Sequence, residues 1–268
     1  MKNKTMTAFS GGGGTKRASL SGFATGKNKS AFTLAEVLIT LGIIGIVAAM
    51  TLPTLLGRYK EKETVTRLKK TYSILNQAML FAVEEFGTVD TWGISNSIIG
   101  SENGKHKLDT TSMVTIADRL AMYTKHTRLA QDWGEGIVET NMQRTPLQNN
   151  YAQFDRPAAF ALPDGTIVMI GLVRSKDECE KSNLNSRNIC SSIVVYFPDI
   201  SKKRIEGVNQ FSFYIMKDRI IPFGVPEDPY NPFDSYCDIS KDIRQSGRGC
   251  TAWVLSKENM NYLHKKRI

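Results

Sequence analysis

The chain has 268 residues, of which 41% are hydrophobic and 23% are charged, and its formal net charge is +9. This composition is that of a folded protein and excludes wholesale disorder. The positive charge is concentrated at one end, because residues 1–31 hold six lysines and arginines and no acidic residue; subtracting them leaves 9 − 6 = +3 for the rest. The basic balance is therefore a feature of the N-terminal segment, and it makes no strong case for a nucleic-acid partner.

The N-terminal segment, residues 1–31, is rich in Gly, Ser, Thr and Lys and lacks apolar residues at the spacing that a core requires. We predict that it is either a flexible tail or a leader that is removed from the mature protein. Its glycine run at residues 11–14, followed by Thr15 and Lys16, lacks the Gly-x-x-x-x-Gly-Lys-Ser/Thr spacing of a phosphate-binding loop. Nucleotide binding at this run is therefore not predicted.

An uncharged apolar run occupies residues 37–56. About 20 such residues form a helix about 30 Å long, which matches the hydrocarbon core of a bilayer. Because the basic residues precede this run, the positive-inside rule predicts a cytoplasmic N-terminus and an exported C-terminal part. A buried core helix is the alternative, but shorter apolar runs are typical of core helices.

Glu36 stands at the start of the apolar run. A carboxylate held inside a bilayer or a dry helix bundle costs about 2.5–3.5 kcal/mol unless it has a partner. A cut between Ala31 and Phe32 would create an α-amino group four residues before Glu36, on the same face of a helix. That amine, of the same chain or of a neighbour, is the candidate partner. The alternative is that Glu36 only marks the start of the helix, where acidic residues interact favourably with the helix dipole.

The sequence Ser30-Ala31-Phe32-Thr33-Leu34-Ala35-Glu36, followed by an apolar helix, resembles the class III prepilin signal of type IV pilins and type II secretion pseudopilins. The resemblance implies that a prepilin peptidase cuts before Phe32 and that the new amine of Phe32 is N-methylated. It also implies that Glu36 neutralises the amine of an adjacent subunit and sets the axial register during assembly. Ala31 departs from the family pattern, which usually has glycine before the cut.

The same resemblance extends to Pro53, which lies where family members carry a helix-bending proline. It implies as partners the prepilin peptidase, other pilin or pseudopilin subunits, an inner-membrane assembly platform and membrane lipid. The chain would be a single-pass protein of the cytoplasmic (inner) membrane that passes into a pilus or pseudopilus. An ordinary secretory signal peptide, cut before Met50, is the alternative, but it leaves Glu36 and the Phe-Thr-Leu context unexplained.

Helical spacing continues beyond the apolar run, with one stripe of apolar residues at three- and four-residue steps: Val65, Leu68, Tyr72, Leu75, Met79, Val83 and Phe86. Gly87 is predicted to end this helix. The chain is thereby divided into a leader at residues 1–31, a transmembrane and assembly helix at 32–56, an amphipathic extension at 57–86 and an exported globular domain at 87–268.

The exported domain is predicted to be of the α+β class. Residues 112–127 have helical spacing, residues 134–156 indicate a long surface connection, and residues 251–265 indicate a short helix or coil. Four or five short strands are predicted between them, at residues 158–162, 166–173, 192–197, 211–216 and 219–223. Such strands favour an antiparallel sheet packed against the long helix, and the resemblance implies the same arrangement.

The four cysteines, Cys179, Cys190, Cys237 and Cys250, all lie on the side predicted to be exported, where an oxidising compartment favours disulfides. Four cysteines allow three connectivities. We favour Cys179–Cys190 and Cys237–Cys250, because each pair closes a polar loop of about a dozen residues. The second pair resembles the C-terminal disulfide loop of pilins. Zinc is disfavoured, since the sequence has no Cys-x-x-Cys spacing and no neighbouring histidine.

No cofactor is predicted, and calcium is the one alternative. Some pseudopilins bind calcium through a loop near the final strands, and residues 197–204 occupy a comparable place, but three consecutive basic residues there would repel a cation. Residues 234–238 form another acidic cluster, which is more typical of a solvated loop.

An enzyme is not predicted either. His106, His126 and His264 lie outside any recognised nucleophile or metalloprotease motif. The function favoured by the sequence is a structural subunit. The alternatives are a minor tip pilin that acts as a binding module for DNA uptake, adhesion or cargo, and a membrane-anchored exported protein. The sequence leaves open the choices between pilus and pseudopilus and between major and minor subunit.

Overall fold

The protein was analysed as a computed structural model, which describes residues 33–102, 105–128, 137–140, 158–181, 189–198, 204–226, 228, 230–237 and 247–264. The chain divides into two compact units, the first ending at Thr51 and the second beginning at Leu52.

The longest element is helix α1, Leu34–Phe86, which contains Pro53. Up to Met50 its large apolar side chains are exposed, and the least exposed of them, Val37, is still 43% accessible. The helix ends where predicted, because Gly87 adopts a φ of +78°, a left-handed conformation that glycine tolerates without strain.

The second part of α1 buries the predicted apolar stripe. Val65, Leu68, Leu75 and Met79 are buried, and the rest of the stripe is partly buried against the same core: Tyr72, Val83 and Phe86. This confirms the amphipathic interpretation of the stripe. The other helices are α2, Thr111–Met122; α3, Lys176–Lys181; α4, Phe233–Tyr236; and α5, Thr251–Lys257.

Nine strands lie in the described residues: β1, Ile98–Glu102; β2, Lys105–Asp109; β3, Thr127–Arg128; β4, Ile137–Thr140; β5, Ala159–Ala161; β6, Ile167–Ile170; β7, Ile189–Tyr196; β8, Gln210–Met216; and β9, Ile220–Pro222. Six of them form one antiparallel sheet in the order β3-β5-β6-β7-β8-β9, and β1-β2-β4 form a second antiparallel sheet. The α+β class predicted from the sequence is confirmed.

The two faces of the six-stranded sheet have different partners. Along β8, Phe211, Phe213 and Ile215 belong to the same core as the α1 stripe, and Tyr72 stacks on Phe213 with ring centroids 5.5 Å apart. Because side chains alternate along a strand, Gln210, Ser212 and Tyr214 lie on the opposite face. This second face, called the outer face below, carries the two smaller apolar clusters.

The three-stranded sheet was not predicted, and the interpretation of residues 134–156 as a connection is wrong at β4, residues 137–140. The strands β1, β2 and β4 pair through backbone hydrogen bonds, and their mostly polar sequences lack the apolar alternation by which strands are recognised. Residues 134–136 and 141–156 of the predicted connection lie outside the described residues. The predicted helix at 112–127 ends earlier, because Thr127 begins β3 and pairs with Ala161.

Candidate functional site

The start of α1 is held by reciprocal hydrogen bonds between Thr33 and Glu36. The backbone N–H and the hydroxyl of Thr33 both donate to Oε2 of Glu36, each at 2.8 Å, and the N–H of Glu36 donates to Thr33 Oγ1 at 3.2 Å. This is a capping box, in which a Thr before the helix and a Glu three residues later satisfy backbone donors that have no partner within the helix. The sequence analysis missed it, although Thr-x-x-Glu before an apolar run is its recognised signal.

The capping box gives Glu36 a local role without occupying all of its carboxylate. Within the part of the chain that the structure describes, Oε2 is the oxygen that accepts hydrogen bonds, and the side chain is exposed. The predicted cleavage residues, Ala31 and Phe32, lie outside the described residues, as does the leader at residues 1–31. The processing site and the pairing of Glu36 with an amine therefore stay predictions.

Pro53 lies inside α1, and the helix runs past it on both sides. A proline has no N–H to donate to the carbonyl one turn earlier, so this turn of the helix has one backbone hydrogen bond fewer. In the turn before it, the hydroxyl of Thr51 donates to the carbonyl of Val47 at 3.0 Å. The bend expected at Pro53 stays a prediction.

By length and composition, one helix in the described part of the chain could cross a membrane, and it is α1. After Glu36, its segment up to Met50 presents large, exposed apolar side chains on every side. Surfaces of that kind require lipid or other apolar helices as a covering.

In comparison with known protein families, two families match the chain, and both matches include part of α1. A prokaryotic N-terminal methylation motif matches residues 26–52, and a family of unknown function, DUF6613, matches residues 54–253. The chain belongs to this second family. No curated protein and no solved structure matches the chain.

The methylation motif is typical of type IV pilins and pseudopilins, and it identifies the chain as a pilin- or pseudopilin-like precursor. It spans Ala31, Phe32 and Glu36 and ends at Leu52, just before the DUF6613 match begins. Such a motif implies processing by a prepilin peptidase and assembly with other pilins. With the apolar helix, it indicates a structural subunit with a single-pass inner-membrane anchor.

All four cysteines are buried and joined in the two pairs that the sequence analysis favours. Cys179–Cys190 links α3 to β7, with the two Cα atoms 4.4 Å apart. Cys237–Cys250 links the residue after α4 to the residue before α5, with a Cα separation of 4.6 Å. The first disulfide thus ties a short helix to the six-stranded sheet, and the second ties the flanks of two short helices to each other.

Metal ligands are not gathered in the described ranges, where no group of three His, Cys, Asp or Glu side chains is placed to hold an ion. The two candidate calcium segments fall partly outside those ranges, since residues 199–203 and 238 are not described. Asp234, in the second segment, is exposed.

Two buried carboxylates on the outer face of the sheet escaped the sequence analysis. Asp228 accepts hydrogen bonds from the Tyr214 hydroxyl and from the N–H groups of Gly224 and Asn231, each at 2.9 Å. Glu206 accepts from Gln210 Nε2 at 2.8 Å, and burial raises the pKa of its carboxyl despite the opposing charge of Arg248. No sequence signal marks this cluster, because its members come from separate segments that only the fold brings together.

Proposed function

We propose that the chain is a filament subunit that a prepilin peptidase cuts before Phe32 and methylates at the new Phe32 amine. Residues 32–56 would anchor it in the cytoplasmic membrane with a cytoplasmic N-terminus, residues 57–86 would extend the helix, and residues 87–268 would be the exported domain. An assembly platform would then extract it into a type IV pilus or a type II secretion pseudopilus. The observation that carries this proposal is the methylation motif at the start of a helix whose apolar side chains are exposed all round.

Assembly replaces lipid around α1 with the same helix of neighbouring subunits. The exposed apolar side chains stay in apolar surroundings throughout that exchange, because a helix bundle is as apolar as lipid. Gly42 and Gly45 favour it further, since a Cβ atom added at either position would meet nothing within 4 Å and the missing side chains leave room for close helix contact.

In such a bundle Glu36 would accept hydrogen bonds from the amine of Phe32 in an adjacent subunit. Removing one partner of a buried ion pair costs about 3–5 kcal/mol, because the remaining charge is left without compensation. Axial positions that leave Glu36 without an amine are therefore disfavoured, which is how one carboxylate sets the register of the subunits.

Two substitutions separate this pairing from the capping role. Glu36→Gln removes the charge but keeps a side chain that serves in a capping box, whereas Thr33→Ala breaks the box and keeps the carboxylate. We expect both variants to insert into the membrane. Glu36→Gln should lower the amount of assembled subunit at least about tenfold, the factor for a lost charged hydrogen bond, and Thr33→Ala should assemble nearly as the wild type does.

The measurement is the quantity of the chain in sheared filaments or cross-linked oligomers relative to the quantity in the membrane fraction. Glu84→Gln, at an exposed position near the other end of α1, is the matched charge control. Normal assembly of Glu36→Gln, or equal defects in Glu36→Gln and Thr33→Ala, would show that Glu36 acts through the capping box alone.

A further inference from the structure

A cleft of about 820 Å³ opens on the outer face of the sheet, within the second unit. Ser192 of β7 and Tyr214 of β8 pair on the outer face, and both line the cleft. The lining also includes Arg174, Tyr230 and Asn231. A volume of this size lies within the range of about 300–1,000 Å³ that is usual for small-molecule sites.

Both disulfides border this cleft. Glu178 precedes Cys179, and Ile189 and Ser191 flank Cys190. Tyr236 precedes Cys237, and Arg248 lies two residues before Cys250; all five residues line the cleft. Each cysteine thus lies within two residues of a lining side chain. The covalent links therefore restrain the lining before any ligand arrives, which lowers the conformational entropy lost on binding.

The cation at the cleft is Arg174. Its guanidinium lies 5.5 Å from the ring centroid of Tyr230, and its backbone N–H donates to the carbonyl of Cys190 at 2.8 Å, so the main chain is held beside the first disulfide. In the part of the chain that the structure describes, no carboxylate lies within 4 Å of this guanidinium. A guanidinium stacked on a ring keeps its N–H edge for a planar acceptor, and a carboxylate fits that edge with two parallel hydrogen bonds.

The other charges at the cleft are already engaged. Arg248 is buried over the ring of Phe223, at 5.3 Å, and its charge acts on the buried carboxylate of Glu206. Glu178 Oε2 accepts from the N–H of Ser175 at 3.4 Å and from Asn96 Nδ2 at 3.5 Å. Arg174 is therefore a lining cation that keeps hydrogen-bond donors for an anion, while Glu178 adds a negative charge to the same lining.

We propose that this cleft binds a small molecule that carries a carboxylate on a ring. The carboxylate would pair with Arg174, the ring would lie against Tyr230 and the apolar side chains of Ile98 and Leu172, and the side chains of Asn231 and Ser192 would supply polar contacts. A sugar acid and an aromatic acid share this chemistry. The inference goes beyond the filament role, because it gives the exported domain a recognition site of its own.

The test uses the full chain, purified in detergent with both disulfides formed, and follows ligand binding by saturation-transfer difference NMR. The probes are D-glucuronate and phenylacetate, each compared with its uncharged counterpart, D-glucose and phenylacetamide. We expect at least one acid to bind and its neutral counterpart to bind at least about tenfold more weakly, the factor for a lost charged hydrogen bond. Arg174→Gln should weaken binding of the acid by a similar factor.

The matched control is Arg219→Gln, because Arg219 is exposed on the turn between β8 and β9, away from the cleft, and pairs with Asp218 at 2.9 Å. Tyr230→Ala, at a side chain that is 37% exposed, is the second cleft variant if Arg174→Gln lowers the unfolding midpoint. Binding of glucuronate alone would identify a sugar acid, and binding of phenylacetate alone an aromatic acid. Binding of neither acid, equal binding of the neutral counterparts, or unchanged binding by both cleft variants would overturn the proposal. Because the measurement requires neither processing nor assembly, its outcome is independent of the filament role.

Discussion

The two parts of α1 have the same backbone conformation and different surroundings. In the first unit an apolar side chain such as Leu41 is 60% exposed, whereas in the second unit Leu75, on the same helix, is fully buried against the sheet. The first part is apolar on all sides, and the second is apolar along one stripe. The two parts of α1 show that neighbouring residues in the chain are enough to form a helix. What covers its apolar side chains depends on how many of its faces are apolar.

The largest effect expected from this comparison is that of truncating the same side chain in each part. Leu75→Ala should lower the free energy of unfolding of the second unit by about 2–5 kcal/mol, because it leaves a cavity in a packed core. Leu41→Ala should change it by less than about 0.5 kcal/mol, as exposed substitutions do. Urea unfolding of the detergent-solubilised chain, followed by tryptophan fluorescence, measures both. Equal effects of the two substitutions would mean that the two parts do not differ in surroundings.

The second effect concerns the disulfide Cys237–Cys250, which lies in the second unit only. Replacing both cysteines by serine should lower the free energy of unfolding by about 2–4 kcal/mol, because the unfolded chain gains freedom. Membrane insertion should be unchanged, since the apolar helix has no part in this bond. Thermal unfolding and membrane fractionation of the same preparation give the two readouts. Loss of the chain from the membrane fraction would contradict the expectation that the disulfide stabilises the second unit without affecting membrane insertion.

The smallest effect is a pH dependence that arises from Glu206. Its folded-state pKa is raised above the ordinary value of 4.5 by burial, so with rising pH the unfolded state releases its proton first. The contribution of this carboxyl to stability is therefore complete below pH 4.5 and is lost as the pH rises through the folded-state pKa. The side chain introduced by Glu206→Gln stays neutral, so we expect the stability of the variant to rise relative to that of the wild type as the pH increases from acidic to neutral.

The measurement for Glu206 is the unfolding midpoint of both proteins across that pH range. Arg248, whose charge opposes the shift, is present in both proteins. Identical slopes for the wild type and the variant would show that Glu206 is not the group responsible.

The features that the sequence predicts are those with a strong apolar pattern. The stripe from Val65 to Phe86, the end of α1 at Gly87 and the strands corresponding to β5–β9 follow from periodicity and turn residues, which depend on neighbours in the chain. Strands β1, β2 and β4 lack apolar alternation. The two residues between β1 and β2 are Asn103-Gly104, a recognised hairpin signal that the sequence analysis missed. Strand β4 pairs with β2 from a distant part of the chain, so no local pattern reveals it.

The candidate sites divide in the same way. The motif around Phe32 and Glu36 is contiguous, and both the sequence resemblance and the methylation match find it. The cleft beside Arg174 is assembled from residues that are far apart in the chain, from Asn96 to Arg248, and the fold brings them together. The capping box at Thr33 is also contiguous in the sequence, and its Thr-x-x-Glu spacing is sufficient to predict it.

The central claim is that the mature chain begins at Phe32. Intact-mass and N-terminal peptide analysis of the protein extracted from membranes tests it most directly, in cells with and without an active prepilin peptidase. The account predicts an N-methylated Phe32 at the N-terminus when the peptidase is active and a retained leader when it is absent. A chain that keeps residues 1–31 despite an active peptidase, or one that begins at Met50, would contradict it.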